Sequence, residues 1–87
     1  MIVYDLVKDR SNQAKHGVSL AEAHAFEWDT ALIREDRRHD YGEVRFDALG
    51  YIGPRLFVMV FCLRGEDIRV ISLRKANQRE VARYART

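Results

Sequence analysis

An α+β domain is the fold class this sequence predicts, with helical segments at the two ends and strands grouped between them. Three observations carry the prediction. Residues 31–74 contain alternating or continuously apolar runs separated by turn residues. Residues 5–28 and 77–86 contain helix-start and helix-stop signals. The chain has 87 residues, enough for one domain (1–87) with a modest core, since a chain of this size buries roughly 60–65% of its unfolded surface.

The elements follow in order. Ile2-Val3-Tyr4 is a short apolar strand candidate. Asp5 caps a polar helix that runs to about His16, where Gly17 stops it. Ser19-Leu20-Ala21-Glu22 reads as a capping box and opens a second helix, with Leu20, Ala23 and Phe26 on one packing stripe. Residues 31–37 form a strand. Residues 43–53 form the next, with Val44, Phe46 and Ala48 on one face and Arg45, Asp47 and Leu49 on the other. Gly53-Pro54 turns the chain into 56–63, apolar on both faces as a central strand should be. Arg64-Gly65-Glu66-Asp67 closes a hairpin onto 68–74. Asn77-Gln78-Arg79-Glu80 is a second capping box, opening a final helix with Val81, Tyr84 and Ala85 on one side. The expected architecture is two N-terminal helices, a four-stranded, mostly antiparallel sheet and a C-terminal helix.

Composition excludes several classes. The single Cys62 cannot form an internal disulfide, and its apolar surroundings read as an ordinary buried thiol. His16, His24 and His39 are scattered without metal-ligand spacing, so neither a metal nor a cofactor is expected. No glycine-rich phosphate loop is present, and Ser72 lacks the context of a hydrolase nucleophile. The first residues carry no secretory signal, and the longest apolar run falls short of the roughly 20 residues of a membrane span. The expected location is the cytoplasm. Net charge is +2, but from Arg64 onward seven cations face three anions, leaving +4 there and −2 in the rest. Arginines outnumber lysines twelve to three, and the planar guanidinium fork suits phosphates and base edges.

Two stretches concentrate the chemistry: residues 36–46, from Asp36 to Phe46, and residues 68–80, from Ile68 to Glu80. Each mixes cations and hydrogen-bonding side chains with the apolar residues of a strand, as when one sheet face packs a core and the other meets a polyanion. They also carry a resemblance. Lys15-His16-Gly17-Val18 with Glu22-Ala23, then Tyr41-Gly42-Glu43 with Arg45-Phe46, then Ile71-Ser72 with Arg74-Lys75-Ala76 and Glu80, and last Tyr84, stand in one order along residues 15–84. In that ordered set the chain resembles the BrnT family of bacterial toxins. The resemblance implies a RelE-like fold and a small endoribonuclease that blocks translation, with or without the ribosome. It also implies a cognate, BrnA-like antitoxin that neutralises the toxin and carries the complex to operator DNA.

Cutting RNA without a metal needs a base for the ribose 2′-OH, cations for the charge on phosphorus and an acid for the leaving 5′ oxygen. His39 and Glu43, around the turn Asp40-Tyr41-Gly42, are the acid–base candidates. Histidine as a residue type exchanges protons near neutrality; the plain alternative is an exposed loop histidine. Arg69, Arg74 and Lys75 are the candidate phosphate ligands, with Arg69 and Arg74 in the catalytic set. Their plain alternative is ion pairing with Glu66, Asp67 or Glu80. Lys15, Arg38, Tyr41, Arg45, Arg79 and Arg83 complete the candidate RNA contacts. Lys15 and His16 equally suit a last helical turn through the dipole, and Tyr84 suits core packing better than base stacking. The rival reading is a non-catalytic nucleic-acid-binding module using the same basic sheet face. A third is an inactive scaffold that only recruits a partner.

Overall fold

A computed structural model describes residues 1–87. Its strands are β1 (Ile2–Val3), β2 (Leu32–Asp36), β3 (Arg45–Ile52), β4 (Arg55–Arg64) and β5 (Asp67–Lys75); its α-helices are α1 (Leu6–His16) and α2 (Gln78–Ala85). The sheet has five strands in the order β1-β5-β4-β3-β2, not the four expected. β2 to β5 form an antiparallel meander. β1 adds a parallel edge, pairing Ile2 with Ile68 and Val3 with Arg69, and the sheet is therefore mixed. That pairing joins residues 66 positions apart and leaves no local sequence signal.

One sheet face carries the larger core. Phe46 and Ala48 of β3, Phe57, Met59 and Phe61 of β4, and Val70 and Leu73 of β5 meet Val18, Leu20, Ala23 and Phe26 from the segment after α1. The expected second helix is a 3₁₀ helix, Leu20–Ala25. Its sequence spacing explains this. Leu20, Ala23 and Phe26 recur every three residues, the period at which 3₁₀ side chains eclipse, and all three are buried. The Ser19–Glu22 capping box does not form. Ser19 Oγ accepts from the Ala21 N–H and donates to Asp9 Oδ1, while the Glu22 N–H bonds the Ser19 carbonyl. Phe26 then lies across Gly50, where an added Cβ would sit 2.6 Å from the ring's Cζ. Glycine is required there by close approach, not by backbone angle.

α1 docks without an apolar stripe. Asp5 caps it, accepting from the Lys8 N–H, and Gly17 ends it in the left-handed region at φ 69. Its only buried residue is Asn12. Asn12 Nδ2 donates to the Val18 carbonyl (2.8 Å) and the Leu73 carbonyl (2.7 Å), and its Oδ1 accepts from the Leu73 N–H (3.1 Å). The side chain thus satisfies the edge of β5 as a neighbouring strand would, beyond the point where β1 ends.

The opposite sheet face has a smaller core of Leu49, Leu56, Val58 and Ala76, flanked by Leu32, Tyr51 and Tyr84. α2 covers it. The Asn77–Glu80 capping box forms in full, but no residue of the helix is buried. Tyr84 anchors it as a packing residue, edge-on to Tyr51 at 5.4 Å and donating to the Thr30 carbonyl at 3.0 Å. The rest of this face is open.

Candidate functional site

Strand register places the open half of that face. Arg34 and Asp36 of β2 stand opposite Asp47 and Arg45 of β3. Asp47 stands opposite Val60 of β4, which stands opposite Ser72 of β5; Val58 stands opposite Arg74. A cleft of about 150 Å³ opens among them. Val58 and Val60 contribute its apolar surface, Arg34, Arg38, Arg74 and Arg83 its cations, and Asp47, Glu80 and Ser72 its remaining polar groups.

Carboxylates hold three of these arginines in place. Arg74 makes a two-pronged pair with Glu80, both N···O distances 2.8 Å. Those bonds from Arg74, together with the Asn77 N–H, hold the Glu80 carboxyl down at about 2 and raise the guanidinium above its ordinary value. Arg34 Nε bridges both Asp47 oxygens at 3.1 and 3.2 Å. Asp36 gathers four donors: the Arg38 backbone N–H, its Nε and Nη2, and the Tyr41 hydroxyl. Its side chain is 1% exposed, covered by those neighbours. The Arg38 bonds hold its carboxyl far below the usual range against the opposing effect of burial, and Asp36 in turn raises Arg38.

These depressed carboxyls give a pH prediction. Their contribution to stability is complete above the unfolded values and is lost as pH falls through the folded ones. For Glu80 that window runs from 4.5 to about 2. The melting temperature should fall through this range, and less steeply in Glu80→Gln. Parallel curves for the two proteins would show that the Arg74–Glu80 pair does not couple folding to protons.

Next to Arg38 on the same face, the 37–44 loop and the strand ends form a rim. Arg45 lies 4.1 Å above the Tyr41 ring, and His39 meets the same ring edge-on at 5.6 Å. Glu43 bonds Arg45 at 3.2 Å and approaches Arg64 at 3.7 Å. Arg45 foremost, with Arg64, holds the Glu43 carboxyl below its ordinary value. That carboxylate is thus engaged by two cations at the rim. Arg69 faces the same side, opposite the buried Cys62, and makes no ion pair.

Of the residues singled out in the sequence, Arg38, Arg74 and Arg83 line the cleft. His39, Tyr41, Glu43 and Arg45 gather at the rim, and Arg69 stands on the same face. Arg79 joins Arg34, Arg83 and Arg86 around an adjoining groove of about 390 Å³. Arg74 both lines the cleft and is ion-paired with Glu80. Lys75 is not its companion: consecutive strand residues point to opposite faces, and Lys75 pairs with Phe57 on the core side. Lys15 lies apart, in a pocket beside α1 that includes Ser72. The sequence reading missed Arg34, Asp36, Asp47 and Arg64. The alternation Leu32, Arg34, Asp36 was the available signal for the first two, but the Arg34–Asp47 pairing depends on register.

No three His, Cys, Asp or Glu side chains converge as a metal-binding group, and no helix is long and apolar enough to cross a membrane. A family model described as "Ribonuclease toxin, BrnT, of type II toxin-antitoxin system" matches residues 4–80. No curated protein matches the chain.

Proposed function

The chain belongs to the BrnT family of ribonuclease toxins of type II toxin–antitoxin systems, and from that premise we propose that it cuts RNA internally, without a metal, on the open arginine-lined sheet face. The observation that supports this reading best is the cleft itself, where four guanidinium groups surround an apolar floor and three of them are oriented by paired carboxylates. Such an array is ready-made for the charge that builds on a phosphorane, because its donors need little reorganisation during the reaction.

In the proposed reaction the ribose 2′ oxygen attacks the neighbouring phosphorus and the P–O5′ bond breaks. Arg34, Arg38, Arg74 and Arg83 bind the nonbridging oxygens. Glu43, held ionised, takes the 2′ proton, and His39 on the same rim supplies one to the departing 5′ oxygen. Tyr41 offers a ring for a base, although Arg45 already covers one side of it. The products are a 2′,3′-cyclic phosphate and a free 5′-OH. A cognate antitoxin, BrnA-like and DNA-binding, would silence the protein by covering this face; Arg79, Arg83 and Arg86 on α2 offer acidic segments a complementary ridge.

Purified protein incubated with RNA in EDTA should produce fragments with cyclic or 3′-phosphate ends. A cleavage activity that EDTA abolishes and a divalent metal restores, on RNA that stays folded, would overturn the metal-free mechanism. Salt-sensitive binding with intact RNA would favour the rival reading of a non-catalytic nucleic-acid-binding module.

A further inference from the structure

Lys8, Ser11, Asn12, Lys15 and His16 recur along α1 at the spacing i, i+3, i+4, i+7, i+8. That is the spacing of a packing face, normally apolar; here every member is polar. Asn12 uses the face to hold β5. The others, with Ile71 and Ser72, line a pocket of about 260 Å³ between α1 and the edge of the sheet.

The pocket's charge is one-sided. No carboxylate lines it, and none of Lys8, Lys15 and His16 makes an ion pair. The acids of α1 are engaged elsewhere. Asp5 caps the helix, and Asp9 binds Gln13, Ser19 and the Leu20 N–H. The helix dipole accounts for Lys15 and His16 in the last turn, but it disfavours Lys8 in the first. Three nitrogen groups from both ends of one helix thus share a pocket with the Ser11 and Ser72 hydroxyls and no counter-charge. By contrast, Arg34 and Arg74 in the cleft each have a carboxylate partner.

Ser72 lines both this pocket and the cleft. It precedes Arg74 by two residues on the same strand, about 7 Å along the backbone. One extended strand of RNA can therefore place one phosphate in the cleft and a flanking phosphate over the edge of β5.

We propose that the pocket between α1 and β5, formed by Lys8, Ser11, Lys15, His16 and Ser72, is a second phosphate subsite that holds the RNA backbone beside the cleaved linkage. The proposal rests on the ribonuclease reading of the cleft. The subsite supplies affinity and register along the strand, while bond breaking stays in the cleft.

The test uses the full chain and 2′-O-methyl RNA, which lacks the attacking hydroxyl. Affinities of Lys15→Gln, Lys8→Gln/Lys15→Gln and Arg10→Gln are measured across a salt series with oligonucleotides of graded length. Arg10 is an exposed residue of the same helix outside every cleft, so Arg10→Gln removes equal charge without touching the subsite. For a single strand each phosphate contact contributes about 0.7 to the log–log salt slope. Lys15→Gln should lower the slope by about that amount and the double variant by about twice as much, only for oligonucleotides long enough to span both sites. Arg10→Gln should leave it unchanged. Equal losses in Lys15→Gln and Arg10→Gln would reduce the effect to a general field and overturn the subsite. An unchanged slope in the double variant, with Arg74→Ala still weakening binding, would overturn the subsite and leave the cleft reading standing. Absence of salt-dependent RNA binding by the wild-type chain would bring down both.

Discussion

Arg74→Ala should lower RNA cleavage by about 10²–10³-fold, the usual cost of losing one preorganised donor to developing charge. The residue sits in the cleft with both terminal nitrogens aimed at Glu80. Its geometry is thus fixed before substrate arrives, and Glu80 and the Lys75 carbonyl leave its Nε–H free for a phosphate oxygen. Removing it also leaves Glu80, whose side chain is 18% exposed, without its main counter-ion, so stability must be measured alongside rate. Arg74→Lys separates the two effects. It retains the charge but not the planar two-pronged donor, and should recover stability more fully than rate. Cleavage by Arg74→Ala at the wild-type rate would move the chemistry out of this cleft.

The largest expected effect on stability comes from a residue without charge. Asn12→Ala removes three buried hydrogen bonds and strands the Leu73 N–H, the Leu73 carbonyl and the Val18 carbonyl. An unsatisfied buried polar group costs about 1–3 kcal/mol. With partial rescue by water, the variant should lose on the order of 3–5 kcal/mol in urea or thermal unfolding. Small domains hold only about 5–15 kcal/mol in total, so much of the population would be at risk of unfolding near body temperature. A loss below about 1 kcal/mol would mean that α1 is held by something other than this amide.

Some of this was readable from the chain and some was not, for physical reasons. The meander from β2 to β5 and its faces followed from alternation and turn residues, because a hairpin's partners are close in sequence. The role of Asp5, Gly17 and the Asn77–Glu80 box followed because capping is local chemistry. β1 was seen as an apolar run but not placed in the sheet, since its partner is Ile68. The second helix was misread because three apolar residues at strict spacing of three satisfy an α-helical stripe nearly as well as a 3₁₀ one. At the site, Arg74 and Lys75 were grouped by sequence adjacency, whereas a strand sends adjacent side chains apart. Arg34 and Asp47 were missed as a pair because only strand register brings them together. Asp36 was passed over although all four of its donors lie within five residues of it, on Arg38 and Tyr41.

The amide of Asn12 has one more effect. A sheet edge with unpaired N–H and carbonyl groups is a template for another chain to add a strand, and proteins that leave such edges open tend to aggregate. β1 covers only the start of β5, at Ile68 and Arg69. Further along, the Asn12 side chain occupies the backbone groups of Leu73 that an incoming strand would need. At the far edge β2 is short, and its exposed Arg34 and Glu35 put charge where a partner strand would lie. The molecule can thus keep an open, arginine-lined sheet face while both margins of that sheet resist growing into an assembly of like chains.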